Sequence, residues 1–190
     1  LGPKHERYLD IMTMQGEFSP SYIEKWNESH AAEITANPLL KKEPQYEPRV
    51  LIGGAGYGGK GHSIRACMVE LHARYLALGI PFPVTAIFAN SYPNLSQWQT
   101  QELTKHYRDW GKIHESHSFG VHFKFHNAAW GVCLLRNADI PDKRGGNILS
   151  VQIDEASLIP WPVIEDIMYA CRGGQAPFHS VGFASNPDGP

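Results

Sequence analysis

The segment Gly53 to Ser63 reads GGAGYGGKGHS and lies between a short apolar run, Arg49-Val50-Leu51-Ile52, and a stretch with helical periodicity. A strand, a glycine-rich turn and a helix in that order constrain the chain more than any other feature. Glycines let a backbone wrap its N–H groups around an anion without Cβ clashes, and the N-terminus of the following helix adds a favourable dipole. Gly54, four residues, then Gly59-Lys60 meet the G-x-x-x-x-G-K part of the phosphate-binding loop, whose lysine reaches the β and γ phosphates of a nucleotide. The next position normally supplies a Ser or Thr hydroxyl to Mg²⁺, and here it is Gly61. Ser63 leaves the helix in a different direction and does not substitute for it. The candidate nucleotide-binding residues are Gly54, Ala55, Gly56, Tyr57, Gly58, Gly59, Lys60, Gly61 and His62.

Downstream of the loop, helical and strand patterns alternate, which predicts an α/β sheet with helices on its faces. The pattern gives helices over Gly61 to Leu78, Pro93 to Trp110 and Trp161 to Cys171. It gives strands over Pro83 to Asn90, Val121 to His126, Gly131 to Leu135, Ile148 to Ile153 and Ser180 to Ala184. Residues 1–47 are polar and without a strand-like run, and read as a helical N-terminal extension. Its helices are expected near Lys4 to Met14 and Pro20 to Ala36, the second opening on a Ser21-x-x-Glu24 capping pattern. Residues 48–190 form the nucleotide-binding domain on this reading.

The strand Ile148-Leu149-Ser150-Val151-Gln152-Ile153 ends in Asp154-Glu155. Two carboxylates at the end of an apolar strand, following a phosphate loop in an alternating pattern, match the Walker B arrangement. Asp154 is the candidate Mg²⁺ residue, acting through water, and Glu155 the candidate for polarising the attacking water.

With these pieces in place, the chain resembles the ATPase half of bacteriophage large terminases from about Arg49 to Pro190. The resemblance rests on the Gly-rich loop, on Asn90-Ser91-Tyr92-Pro93-Asn94-Leu95, on the strand with Asp154-Glu155, and on Ala184-Ser185-Asn186-Pro187-Asp188-Gly189-Pro190. The last is similar to the family's coupling motif, which puts Ser185 and the candidate catalytic residue Asn186 where the γ-phosphate is sensed. The resemblance implies a P-loop NTPase sheet of the additional-strand, RecA-like kind, with ATP and Mg²⁺ as ligands. It also implies a homo-oligomeric ring as the active form, and double-stranded DNA, a portal protein and a small terminase subunit as partners. Two positions depart from the family: Ala55 stands where an arginine is common, and Gly61 where the hydroxyl is expected. A charge-stabilising arginine is sought instead at Arg144 or Arg136, although the loop around Arg144 also reads as a solvated turn. The family's nuclease domain is expected beyond Pro190, so no DNA cleavage is expected from these residues. A helicase-like ATPase, or a nucleotide-binding module that has lost hydrolysis, remains open; Gly61 supports the latter.

Composition narrows the partners. The formal net charge of −2 over 190 residues supplies no broad positive field for a nucleic-acid backbone. Cys67, Cys133 and Cys171 fall in apolar patterns and are expected as reduced core thiols. The absence of an apolar run of membrane-spanning length or a signal-like start gives a cytoplasmic expectation, the host cytoplasm for a phage protein. His114 and His117 have a metal-compatible spacing, but His122 and His126 read as the solvated face of a strand. Trp98 and Trp110 read as core at helical spacing. Gln45 is a candidate adenine contact, with a solvated linker residue as the simpler reading.

Overall fold

The computed structural model describes residues 3–13, 16–42, 49–52, 59–138, 147–172, 176 and 178–185. The N-terminal part forms α1 (Pro3–Met12), α2 (Pro20–Ser29) and α3 (Ala31–Ala36). Ser19, not Ser21, caps α2: its Oγ accepts the Tyr22 N–H at 3.2 Å, and Pro20 takes the first helical position, where no N–H is needed. The expected single helix from Pro20 to Ala36 breaks at His30, which leaves helical geometry while its ring stacks on Trp26.

β1 (Arg49–Ile52) leads to α4 (Lys60–Ala77) and then β2 (Val84–Ala89). After β2 come α5 (Tyr92–Asn94), a π-helical turn over Leu95–Thr100, and α6 (Gln101–His106). The helix expected to reach Trp110 therefore ends four residues earlier, and the chain enters a strand that the sequence pattern did not disclose, β3 (Gly111–Ser116). β4 (Gly120–Phe125), β5 (Val132–Asn137), β6 (Ser150–Ile153), α7 (Trp161–Ala170) and β7 (Ser180–Ser185) complete the described elements.

The strands form a seven-stranded sheet in the order β1-β7-β6-β2-β5-β4-β3. From β1 to β5 every neighbouring pair is parallel, while β4 and β3 add an antiparallel edge. β7, the last of the described strands in sequence, is inserted between β1 and β6, and this insertion matches the expected additional-strand sheet. β2, β5 and β6 are buried on both faces along nearly their whole length, as helical crossovers require. Along β2, Ala86 and Phe88 pack on one face with Val151, Ile153, Ile164 and Ile167, whereas Ile87 and Ala89 pack on the other with Ile64, Met68, Leu103 and Phe123. Burying one such side chain contributes about 1.5–3 kcal/mol.

Helix α1 joins this core: Tyr8 and Met12 pack with Cys67, Leu71 and Tyr75 of α4. The Tyr8 hydroxyl donates to Gln152 Oε1 at 2.7 Å, and Gly182 of β7 has no side chain where that hydroxyl and the Gln152 amide meet. All three cysteines are free, with Cys67 and Cys133 buried and Cys171 partly so. Trp98 is 62% exposed and Trp110 47% exposed, contrary to the core expectation. Leu95, Gln99 and Leu103 are the buried residues of that helical run, which leaves Trp98 outside. His122 departs in the opposite sense: it is buried, with β3 and β5 on either side of its strand and Phe119 against its ring, and its Nδ1 lies 2.7 Å from the Gly120 carbonyl.

Candidate active site

Parallel strands bring their C-terminal ends to one edge of the sheet, the usual place for ligands in such folds. In register, Ile52 of β1 lies beside Ser185 of β7, and Phe183 of β7 beside Ile153 of β6. The residues that follow or end these strands therefore share one edge: Lys60 at the head of α4, Asp154 and Glu155 after β6, and Ser185.

Gly59 precedes α4 in the left-handed region (φ 69°), a geometry glycine adopts without strain. Lys60 is buried at 8% exposure as the first residue of the helix. Gly61 has helical geometry; His62 is exposed, with its ring facing Tyr107 at 6.3 Å. The Ser63 hydroxyl is fully buried and donates to the Gly59 carbonyl at 3.1 Å, so it braces the turn.

Asp154 is held at both oxygens. Its Oδ1 accepts the Glu155 backbone N–H at 3.1 Å and its Oδ2 accepts Gln99 Nε2 at 2.6 Å. Burial pushes the carboxyl pKa above its ordinary value, opposed by the Gln99 and Glu155 hydrogen bonds and then by the charges of Arg65 and Lys60. The Glu155 carboxyl is also raised, first by burial and then by the Asp154 charge, with Lys60 acting against both. Lys60, Asp154 and Glu155 thus form one electrostatic cluster. Glu155 has φ 51°, a left-handed backbone that is strained for any residue with a Cβ and that recurs at functional sites. Ser185 Oγ accepts the Ser157 N–H at 3.3 Å, tying the end of β7 to the turn after Glu155.

Of the residues expected from sequence, Gly59, Lys60, Gly61, His62, Asp154, Glu155 and Ser185 are described. Gly54, Ala55, Gly56, Tyr57, Gly58, Gln45, Arg144 and Asn186 lie outside the described residues. Arg136 is placed on the β3–β4 side of the sheet, its guanidinium donating to the carbonyls of Phe119 at 2.7 Å and Val121 at 3.1 Å. Among the described residues no three His, Cys, Asp or Glu side chains are grouped to hold a metal, His114 and His117 included. Asp154 with a neighbouring carboxylate is a donor set that suits Mg²⁺, which keeps most of its water and leans on substrate phosphates.

Sequence reasoning missed Arg65 and Gln99. Arg65 is 6% exposed and its Nη1 donates to Gln99 Oε1 at 3.1 Å, while Nη2 lies 3.7 Å from Glu102 Oε2. Their signal was a polar side chain on the apolar side of a helix: Gln99 falls four residues from both Leu95 and Leu103.

The structure is thus a mixed α/β sheet in which the last of the described strands is inserted beside the first, with a lysine-headed helix following β1 and a carboxylate pair following β6. Solved structures with a TM-score above 0.5 share this α/β fold. The chain is similar to the large terminase of a thermophilic bacteriophage, with TM-score 0.54 and 12% identity over 98% of this chain and 38% of that one. A structure of a large terminase from that source in complex with ATPγS gives TM-score 0.51 at 11% identity, over 97% of this chain and 38% of that one. The large terminase ATPase domain of Thermus phage P74-26 is also similar, with TM-score 0.45 and 16% identity over 77% of this chain and 62% of that one. The chain spans 38% of the length of the thermophilic-phage terminase. No family model and no curated protein matches the sequence.

Proposed function

We propose that this chain is an ATP-hydrolysing domain of a large terminase, whose hydrolysis drives packaging of double-stranded DNA into a procapsid. The observation that carries the reading is the shared strand-end edge at which Lys60, Asp154, Glu155 and Ser185 meet, on a sheet whose fold is similar to that of solved large terminases. Lys60 supplies positive charge to the β and γ phosphates, together with the backbone N–H groups of the Gly54 to Gly59 loop. Asp154 would hold a Mg²⁺ through water, and the cation would supply positive charge to offset what develops on the transferred phosphoryl group. Glu155, whose carboxylate is placed by a strained backbone, orients water for attack and accepts its proton. Ser185, at the end of β7, and Asn186, the next residue in sequence, sense the γ-phosphate.

Completion of the site by a neighbouring subunit in a ring follows from the same reading, as do a portal protein and a small terminase subunit as partners. Arg144 is the candidate charge-stabilising arginine within the chain. A second reading, a nucleotide-binding module without turnover, is favoured by Gly61, which removes a direct metal ligand. Steady-state phosphate release with and without duplex DNA separates the two. The ATPase reading expects Mg²⁺-dependent release that Glu155→Gln abolishes while nucleotide binding persists. Nucleotide binding with no release by the wild type under either condition favours the module. Release by Glu155→Gln at the wild-type rate moves the base to another residue.

A further inference from the structure

Gln99 stands on the π-helical turn between α5 and α6, and π turns recur at functional sites. Its amide is 1% exposed and bridges two elements of the site: Oε1 accepts from Arg65 Nη1 at 3.1 Å and Nε2 donates to Asp154 Oδ2 at 2.6 Å. The line Arg65–Gln99–Asp154 therefore runs from the phosphate-loop helix to the carboxylate after β6.

An amide can accept from a guanidinium and donate to a carboxylate at once. The intermediary matters. A guanidinium paired bidentately with Asp154 would compensate its charge and occupy both oxygens, which leaves little for a hydrated cation. Through Gln99 the carboxylate gains one oriented hydrogen bond on Oδ2 and one backbone bond on Oδ1. An ionised carboxylate offers about four lone-pair sites, so acceptor capacity remains for metal-bound water. Position 61 lies against this arrangement: a Cβ there would stand 3.3 Å from Arg65 Nη1, a tight approach to which the guanidinium would have to give by a few tenths of an ångström.

We propose that Gln99, oriented by Arg65, is a positioning residue that fixes Asp154 for its Mg²⁺, and that this brace stands in for the ordering normally supplied by the hydroxyl at position 61. The inference rests on the reading of Asp154 as the metal residue. Groups that orient metal ligands typically change metal affinity by about 10–100-fold when removed.

The test is a calorimetric titration of ATPγS into the full chain in EDTA and across a Mg²⁺ series. The variants are Gln99→Met and Arg65→Met/Gln99→Met. The double variant removes both buried polar partners, so it stays informative if the single variant leaves Arg65 Nη1 without its acceptor and does not fold. The expected result is a Mg²⁺ half-saturation raised by about tenfold or more, with metal-free affinity unchanged, and a double variant no worse than the single. An unchanged Mg²⁺ dependence in a folded variant overturns the proposal, as does an equal loss of affinity in EDTA, which would mark a purely structural role. A wild-type chain that binds no nucleotide overturns the underlying ATPase reading and this inference with it. Wild-type binding with metal-insensitive variants overturns the inference alone.

Discussion

A side chain begun at Gly61 would meet the guanidinium of Arg65, with Cβ 3.3 Å from Nη1 and 3.7 Å from Nη2. Sequence alone suggests that Gly61→Ser restores a missing Mg²⁺ ligand and raises turnover. The geometry argues against that gain, because the Arg65 guanidinium would have to give by a few tenths of an ångström while it is buried and bonded to Gln99, which in turn holds Asp154. Weakening the Arg65–Gln99 hydrogen bond costs up to about 1 kcal/mol, or about fivefold in metal affinity. Gly61→Ala and Gly61→Ser should both raise the Mg²⁺ half-saturation of nucleotide binding by up to that factor. Tighter Mg²⁺ binding by the serine variant alone would restore the simpler reading.

Glu155 has a left-handed backbone, a strain of about 1–3 kcal/mol for a residue with a Cβ. Glu155→Gly should therefore raise unfolding stability by about 1 kcal/mol, the remainder being offset by glycine's greater freedom in the unfolded chain. It should also abolish phosphate release. Denaturant melts and a release assay on one preparation check both arms; a variant less stable than wild type contradicts the strain.

His72 is neutral in the fold. Its Nδ1–H donates to the Trp130 carbonyl at 2.6 Å, Nε2 accepts the Thr85 hydroxyl at 2.8 Å, and burial lowers the pKa from 6.5 to about 3. Between those values the unfolded chain binds a proton that the folded chain does not. The contribution is thus fully present above pH 6.5 and is lost as pH falls toward 3. From pH 6.5 to 5 the loss is about 2 kcal/mol. His72→Gln, whose amide can also donate and accept, should be less acid-sensitive by that amount in denaturant unfolding at pH 7 and pH 5. Equal acid sensitivity in both proteins would remove His72 from the account.

Much of the site was legible because its chemistry sits in contiguous motifs. β1 spans the expected Arg49–Ile52 and Lys60 heads the helix after it. β6 ends at Ile153 with the carboxylate pair directly behind. What escaped depends on tertiary geometry. β3 carries Lys112, His114 and Glu115 on an exposed edge hairpin, where no apolar alternation is required. The buried row at Leu95, Gln99 and Leu103 sets which side of the helical run faces inward, so Trp98 faces out and Gln99 reaches Asp154. Arg65 looked like one charge among many until its burial gave it a partner.

With a net charge of −2, the chain by itself should bind duplex DNA weakly. That affinity should fall by about tenfold or more between low and physiological salt, as expected when few phosphate contacts release few counterions. Fluorescence anisotropy across a salt series measures this. Tight, salt-resistant binding by the monomer would contradict the assembly-dependent reading of the DNA partner.

The central claim is that Lys60 at the head of α4 meets nucleotide phosphates, and calorimetric titration of ATPγS with Mg²⁺ into wild type and Lys60→Ala tests it most directly. The account predicts that the wild type binds and that the variant, equally well folded, binds at least about tenfold more weakly, a difference of about 1.4 kcal/mol. Equal affinities, or no binding by the wild type, would contradict it.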